Sequence, residues 1–190
     1  MNQWQTNERI TGWLQILQVA VVEITGEKSA PILMPNAPLI SSTLTELHTR
    51  LERMMGASAC RGVEIRIGQA AFHLFLSRMA EDFGFFLPEI KFLPVKRKIM
   101  AGLQLLAEEY LRLTGERMSV LETEDAYEVT IPPAVKEIPS IYTGCPLLIG
   151  FLKEYVTWSD GGKFYQILEK SCCVDGNRTC VFHIRKVPLD

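Results

Sequence analysis

The sequence has no surplus of charge of one sign and no apolar run long enough to cross a membrane. Its 20 basic and 22 acidic residues give a net charge of −2, which argues against a general nucleic-acid binder because such proteins carry a basic surplus. The most apolar stretch near the start, at 16–22, is interrupted by Gln18 and falls short of the ~20 residues that a membrane span needs. The N-terminus lacks the basic segment of a secretory signal peptide. We therefore expect a cytoplasmic chain that neither inserts into membranes nor binds nucleic acid.

Histidines are few and glycine-rich nucleotide loops are missing, which leaves little support for an enzyme. A reductase needs a source of hydride or electrons, yet the sequence has neither a GxGxxG motif after a strand nor a P-loop. The DGGK segment at 160–163 lacks the glycine spacing of a phosphate loop and indicates a turn. The three histidines, His48, His73 and His183, suggest no Ser-His-Asp arrangement. We assign no catalytic residue and predict that the chain is not an enzyme.

The order of the predicted elements indicates an α+β fold. Apolar spacing predicts helices over 10–22, 43–55, 61–86, 95–113 and 146–158, and alternation predicts strands over 118–122, 127–131, 163–170 and 179–187. Because the helices come first and a hairpin-rich sheet follows, we expect N-terminal helices packed on an antiparallel sheet. A length of 190 residues fits a single compact unit.

Local signals add detail to this outline. Thr43 and Glu46 fit a capping box at the start of the second helix. Gly68 lies inside the third helix, where glycine costs roughly 1 kcal/mol relative to alanine, and this cost indicates the close approach of another backbone. Residues 89–93 lie between two prolines and are predicted to be extended.

Four residues near the C-terminus are predicted to meet, with the pattern Cys-x23-Glu-x2-Cys-x7-Cys. They are Cys145, Glu169, Cys172 and Cys180. The Asp-Gly-Asn reversal at 175–177 returns Cys180 to the neighbourhood of Cys172, and a helix start packed over this hairpin brings in Cys145. Three thiolates and one carboxylate suit tetrahedral zinc. Four protein ligands leave no open position, so such a zinc would be structural.

The spacing alone leaves alternatives to this zinc site. The same residues fit three small buried thiols and a surface carboxylate. Cys173 can replace Cys172 as a ligand, or the two can act as a redox pair. His183 follows Cys180 at a C-x2-H spacing, but residues three apart in a strand point to opposite faces, so His183 ranks below Glu169. With zinc the four ligands would carry a formal charge of about −2, which calls for backbone donors or a basic residue nearby.

Several segments of the chain resemble the 4-vinyl reductase domain family. They are CRGVEIRIGQA at 60–70, LPVKRK at 93–98, CPLLIGFLKE at 145–154 and the Glu-x2-Cys-x7-Cys spacing at 169–180. The family includes small proteins tied to bacteriochlorophyll synthesis and the sensory domains of phenol- and aromatic-responsive bacterial transcription activators. Its fold is similar to that of heme-based nitric-oxide sensors and of a vesicle-tethering subunit of the Golgi.

The resemblance implies a metal site and a ligand site. In the aromatic sensors a zinc held by Cys, Glu, Cys and Cys lies beside a buried hydrophobic pocket, and Cys145, Glu169, Cys172 and Cys180 match those ligand positions. Zinc is thus the implied cofactor. The sequence departs from the family at 138–141, where IPSI stands in place of the Cys-Pro-x-Cys motif of many relatives. None of its histidines stands in a recognisable heme context.

The resemblance favours a sensor domain that binds an apolar or aromatic small molecule and signals through a partner protein. Residues 43–190 would form the ligand-binding domain, and residues 1–42 an N-terminal helix and loop that could pair two chains in a homodimer. The candidate ligand-binding residues are Phe92, Tyr110, Tyr127, Ile149 and Ile167. Ile149 lies one helical turn after Cys145, and Ile167 shares a strand face with Glu169, so both should face the interior beside the metal.

Two other functions are compatible with the sequence. The first is an enzyme or an accessory protein in reduction of a tetrapyrrole vinyl group, for which no cofactor motif is found. The second is a protein–protein adaptor, as the tethering relatives are, with Trp4, Trp13 and Met34 as its interface. In the simpler interpretation Trp13 belongs to the core of the first helix.

Overall fold

The computed structural model describes residues 3–27, 40–114, 117–132 and 145–189, in which helices come first and a sheet follows. The elements are α1 (Gln3–Thr25), α2 (Ile40–Met55), α3 (Ala57–Arg78), α4 (Pro88–Lys91), α5 (Val95–Thr114), β1 (Ser119–Glu122), β2 (Ala126–Ile131), α6 (Cys145–Ser159), β3 (Tyr165–Ser171) and β4 (Cys180–Pro188). The predicted α+β fold is therefore confirmed. No helix in the described part of the chain is both long and apolar enough to cross a membrane.

The four strands form one antiparallel sheet in the order β1-β2-β4-β3. Buried residues alternate along β2, where Tyr127, Val129 and Ile131 are buried, as expected for a sheet with one face on the core. Ile131 at the end of β2 pairs with Cys180 at the start of β4. The register between β3 and β4 shifts between Glu169 and Ser171. This irregularity comes directly before the turn that joins the two strands.

Helices α3 and α6 cross with their backbones in close contact. A Cβ atom at Gly68 would overlap the carbonyl of Leu147, and one at Gly150 would overlap the carbonyl of Ile65. Each helix therefore presents a glycine to the backbone of the other. The close approach predicted from Gly68 is confirmed, and its partner is α6.

Aromatic rings fill the space where α1 packs on α3. The Trp13 ring stacks on Phe75 with centroids 5.1 Å apart, and Phe72 meets Phe151 edge to face at 5.2 Å. Such pairs add roughly 0.5–1.5 kcal/mol beyond their buried area. Trp13 is half-buried and packs against the core, as the simpler interpretation expects. Met34 and the side chain of Trp4 lie outside the described residues.

Three local predictions are wrong. Helix α2 begins at Ile40, so Thr43 lies within the helix and cannot cap it. The helix predicted to reach residue 86 ends at Arg78, because the chain turns there and Gly84 adopts a left-handed φ of 73°. This turn packs Phe83 and Phe85 edge to face on Phe75. The segment predicted to be extended contains the short helix α4.

Candidate ligand cavity and thiol cluster

A cavity of about 210 Å³ lies between the helices and the sheet. Its wall is built from α1, α3, α5 and α6 on one side and from β2 on the other, with side chains that include Leu17, Ala71, Leu103, Leu147, Phe151 and Val129. Well-packed interiors leave few voids larger than a water molecule. A pocket of this size lined by apolar side chains is therefore a candidate ligand site.

Glu109 is the one charged side chain on the described wall of the cavity. It is 1% exposed, and its Oε2 accepts a hydrogen bond from the Arg9 guanidinium at 2.8 Å. Its Oε1 accepts a hydrogen bond from the Trp13 indole at 3.3 Å. Arg112, one turn farther along α5, adds a second positive charge at 3.5 Å. The buried carboxylate is thus neutralised by arginine, as a buried charge requires.

Of the predicted ligand-binding residues, Tyr110 lies on this wall and the other four lie elsewhere. Phe92 is 78% exposed, because the chain between α4 and α5 turns it outward. Tyr127 is buried and its hydroxyl donates to the carbonyl of Lys96 at 3.0 Å. Ile149 and Ile167 are buried but are not part of the described wall.

Helical geometry explains the position of Ile149. The wall residues of α6 are Leu147, Leu148, Phe151 and Leu152, which recur at the spacing of one helical face. Ile149 falls outside that stripe, so its side chain enters the core at another point.

Sequence reasoning missed Glu109 and Trp13 as wall residues. A signal for Glu109 was present, because an acidic residue three positions after Leu106 falls on the apolar stripe of α5. An acid on such a stripe indicates a buried ionic partner. Trp13 carried no comparable signal, since an aromatic on an apolar helix face is ordinary core.

The structure brings three of the four predicted metal ligands together. Cys145, Cys172 and Cys180 are buried, and their sulfur atoms lie within 4.8 Å of one another. The Cys172 thiol donates to the Cys145 sulfur at 3.7 Å. Cys145 is the first residue of α6, Cys172 follows β3 and Cys180 begins β4. We call these three residues the thiol cluster.

The turn between β3 and β4 holds two of these cysteines in place. Gly176 takes a left-handed φ of 83°, which glycine adopts without steric cost. The Asn177 side-chain amide donates to the carbonyl of Cys172 at 3.0 Å. The predicted tight reversal is therefore present, and it returns Cys180 to Cys172.

Glu169 lies on β3 three residues before Cys172, and it does not belong to the group of donor atoms within 4.8 Å. Its Oε2 accepts a hydrogen bond from Arg61 at 2.8 Å. Its Oε1 is buried and has no hydrogen-bond partner. A buried carboxylate oxygen without a partner costs free energy, so this atom is placed where a cation would satisfy it.

The surroundings supply the positive groups that a thiolate site needs. The backbone N–H of Cys173 donates to the Cys180 sulfur at 3.2 Å, and Arg61 brings a positive charge to Glu169. Burial raises the pKa of the Cys173 thiol to about 12. The structure places Cys172 rather than Cys173 in the thiol cluster. His183 is turned to Glu128, with 2.7 Å between Nε2 and Oε2.

Neither a family model nor a curated protein matches this sequence, but solved structures share its fold. An H-NOX protein from S. oneidensis in its Fe(II)NO state has a TM-score of 0.65 at 15% identity over 94% of this chain and 99% of that one. An oxygen-binding H-NOX domain related to soluble guanylate cyclases has a TM-score of 0.55 at 12% identity over 96% of each chain.

A third similar structure is a subunit of a trafficking protein particle complex. The trafficking protein particle complex subunit 3 from Naegleria fowleri, covalently bound to palmitic acid, has a TM-score of 0.59 at 12% identity over 82% of this chain and 98% of that one. The predicted similarity of the fold to nitric-oxide sensors and to a tethering subunit is thereby confirmed.

Proposed function

We propose that this chain is a sensor domain that binds a small apolar molecule, of the size of a single aromatic ring, in the cavity beside Glu109. The observation that carries the proposal is the cavity itself, whose described lining is mainly apolar and holds a single charged side chain, the buried and neutralised Glu109. An apolar cavity of roughly 150 Å³ stays dry and holds benzene. A volume of about 210 Å³ therefore suits a substituted aromatic ring.

Glu109 gives the cavity a polar end. Its carboxylate is fixed by Arg9 and Trp13, so a hydroxyl donor on the ligand would meet an acceptor that is already oriented. Pockets for small molecules combine an apolar lining with a few placed polar groups. The resemblance to phenol- and aromatic-responsive sensory domains supports the same ligand class, and the 4-vinyl reductase family is the one we propose.

The H-NOX structures with this fold are described with heme iron, but the residues here do not fit heme held by histidine. His48 pairs with Glu64, His73 with Glu154 and His183 with Glu128. None of the three histidines is on the described wall of the cavity. We therefore propose no heme in this chain.

Calorimetric titration with toluene and phenol tests the ligand proposal. Ala71 lies on the cavity wall, and Ala71→Leu would fill the cavity. We expect this variant to weaken binding at least about tenfold, a loss of ~1.4 kcal/mol, while its melting temperature is unchanged or higher. The matched control is Ala70→Leu, the neighbouring position on α3 outside the wall, which should bind as the wild type does. Absence of binding to the wild type would overturn the proposal.

We also propose a structural zinc held by Cys145, Glu169, Cys172 and Cys180. The proposal is supported by the thiol cluster, by the unpartnered buried Oε1 of Glu169 and by the basic Arg61 next to it. When bound, the metal would link α6 to the β3–β4 hairpin. It would not be catalytic, since four protein ligands leave no open coordination position. Helix α6 also contributes to the cavity wall, so the zinc would fix the start of one of the elements that line the cavity.

Native mass spectrometry of the reduced protein tests the zinc site. Cys180→Ser should lose one zinc per chain and lower the melting temperature, because metal binding is coupled to folding. Cys173→Ser is the matched control, since Cys173 lies outside the thiol cluster, and it should keep its metal. A Cys180→Ser protein that melts like the wild type would contradict the proposal. The masses in the same spectra also show whether two chains associate in the homodimer that we propose and whether a partner protein is bound.

A further inference from the structure

A second group of metal-binding side chains lies where α2 packs on α3. His48 belongs to α2, and Cys60 and Glu64 belong to α3. One donor atom from each lies within 4.8 Å of the others. The His48 Nδ1 is 2.9 Å from Glu64 Oε1 and 3.6 Å from the Cys60 sulfur.

The sequence places these residues together through helical spacing. Cys60 and Glu64 are four residues apart, so their side chains lie above one another on one face of α3. Helix α2 packs on this face and presents His48 to both. Cys60 is 1% exposed and Glu64 is 0% exposed, whereas the His48 side chain is 29% exposed. The group is therefore closed toward the core and open to solvent at the histidine.

The Glu64 carboxylate is only half satisfied. Its Oε1 faces His48, but its Oε2 is buried and has no hydrogen-bond partner. A buried carboxylate requires pairing or coordination to a cation.

The distances distinguish coordination from nucleophilic catalysis. In a Cys-His-acid relay the thiol and the carboxylate use opposite nitrogens of the imidazole ring. Here the same nitrogen, Nδ1 of His48, faces both Cys60 and Glu64. One nitrogen, one sulfur and one oxygen therefore lie within 4.8 Å of one another, close enough for a single metal ion to contact all three.

We propose that His48, Cys60 and Glu64 bind a divalent transition metal of the zinc type, at a site distinct from the thiol cluster. Imidazole and thiolate ligands select Zn²⁺ and similar metals over Mg²⁺ and Ca²⁺, which prefer oxygen. Three protein ligands leave one coordination position for water or another small ligand. The exposed edge of His48 provides the route of entry.

Counting Co²⁺ bound to the full-length chain tests this proposal. The reduced protein is stripped with a chelator and titrated with Co²⁺, while thiolate-to-Co²⁺ absorption is recorded. We expect the wild-type chain to bind two Co²⁺. The His48→Gln variant and the Cys180→Ser variant should each bind one. His183→Gln is the matched control, because His183 is 27% exposed and pairs with Glu128 at 2.7 Å but has no thiol beside it. It should bind two.

The outcomes separate this site from the zinc of the thiol cluster. If His48→Gln still binds as many Co²⁺ as the wild type, the second site is wrong. If the wild type and Cys180→Ser both bind one Co²⁺ and His48→Gln binds none, the second site stands and the thiol cluster fails. Glu64→Gln keeps the side-chain shape, and we expect the affinity of this site to fall at least about tenfold. Circular dichroism of each variant verifies that it is folded.

Discussion

At the scale of single residues, two buried glutamates distinguish this chain from an ordinary helical core. Glu64 and Glu109 are both almost fully buried, at 0% and 1% exposure. Glu109 receives hydrogen bonds from Arg9 and Trp13, whereas Glu64 keeps an unpartnered oxygen. The first is satisfied by the protein, and the second is satisfied in our proposal by a metal.

The ion pair of Glu109 should contribute measurably to stability. Removing one partner of a buried pair typically costs 3–5 kcal/mol, and because Arg9 is 28% exposed we expect Glu109→Gln to lower the free energy of unfolding by about 2 kcal/mol. Glu108→Gln is the control, because Glu108 is 61% exposed and also pairs with Arg112. It should cost less than about 0.5 kcal/mol in urea unfolding. Equal losses in both variants would contradict this view.

At this scale the meeting of Cys172 and Cys180 was predictable, whereas of the predicted ligand-binding residues only Tyr110 lies on the described wall of the cavity. The spacing of Cys172 and Cys180 around an Asp-Gly-Asn turn specifies a local hairpin, and a hairpin sets distances without help from the rest of the chain. Whether Phe92 and Ile149 reach the cavity depends on how the segment between α4 and α5 turns and on which way helix α6 faces. That choice is made by packing against distant elements.

At the scale of elements, the α3–α6 crossing is the contact that fixes the helical layer. A side chain at Gly68 would overlap the Leu147 carbonyl, and backbone cannot move aside as a flexible side chain can. We expect Gly68→Ala to lower the free energy of unfolding by about 3 kcal/mol, at the upper end of overpacking costs. Thermal or urea unfolding measures this change.

Gly62 on the same helix is the matched control for Gly68. A Cβ atom at Gly62 would meet nothing within 4 Å. Gly62→Ala should therefore raise the free energy of unfolding by about 1 kcal/mol through helix propensity alone. If the two variants change stability in the same direction, the close helix crossing is not the reason why position 68 requires glycine.

At the scale of the whole molecule, buried tyrosines link stability to alkaline pH. Burial raises the pKa of Tyr127 to about 12 and raises the pKa values of Tyr155 and Tyr165 further. The folded state therefore holds these phenolic protons more tightly than the unfolded state, whose tyrosine pKa is about 10. Their contribution to stability is complete below pH ~10 and is lost as the pH rises toward 12.

Urea unfolding between pH 8 and pH 11 measures this loss. We expect the free energy of unfolding to fall above pH ~10, with a slope of up to ~1.4 kcal/mol per pH unit for each tyrosine. Tyr155→Phe should reduce the slope, because the Tyr155 hydroxyl is buried and donates to the carbonyls of Lys98 and Ile99. A slope unchanged by this substitution would exclude Tyr155 as a source.

The sequence by itself determined the order of the long helices and the strands, the α+β class and the hairpin that joins Cys172 to Cys180. These features depend on local periodicity and turn chemistry, which act over a few residues. The meeting of Cys145 with this hairpin was also expected from the sequence, whereas only the tertiary structure decided that Glu109 lies on the cavity wall and that His48 meets Cys60 and Glu64. Each of these contacts joins elements that are separate in sequence, and its geometry follows from how whole helices pack, which local sequence does not encode.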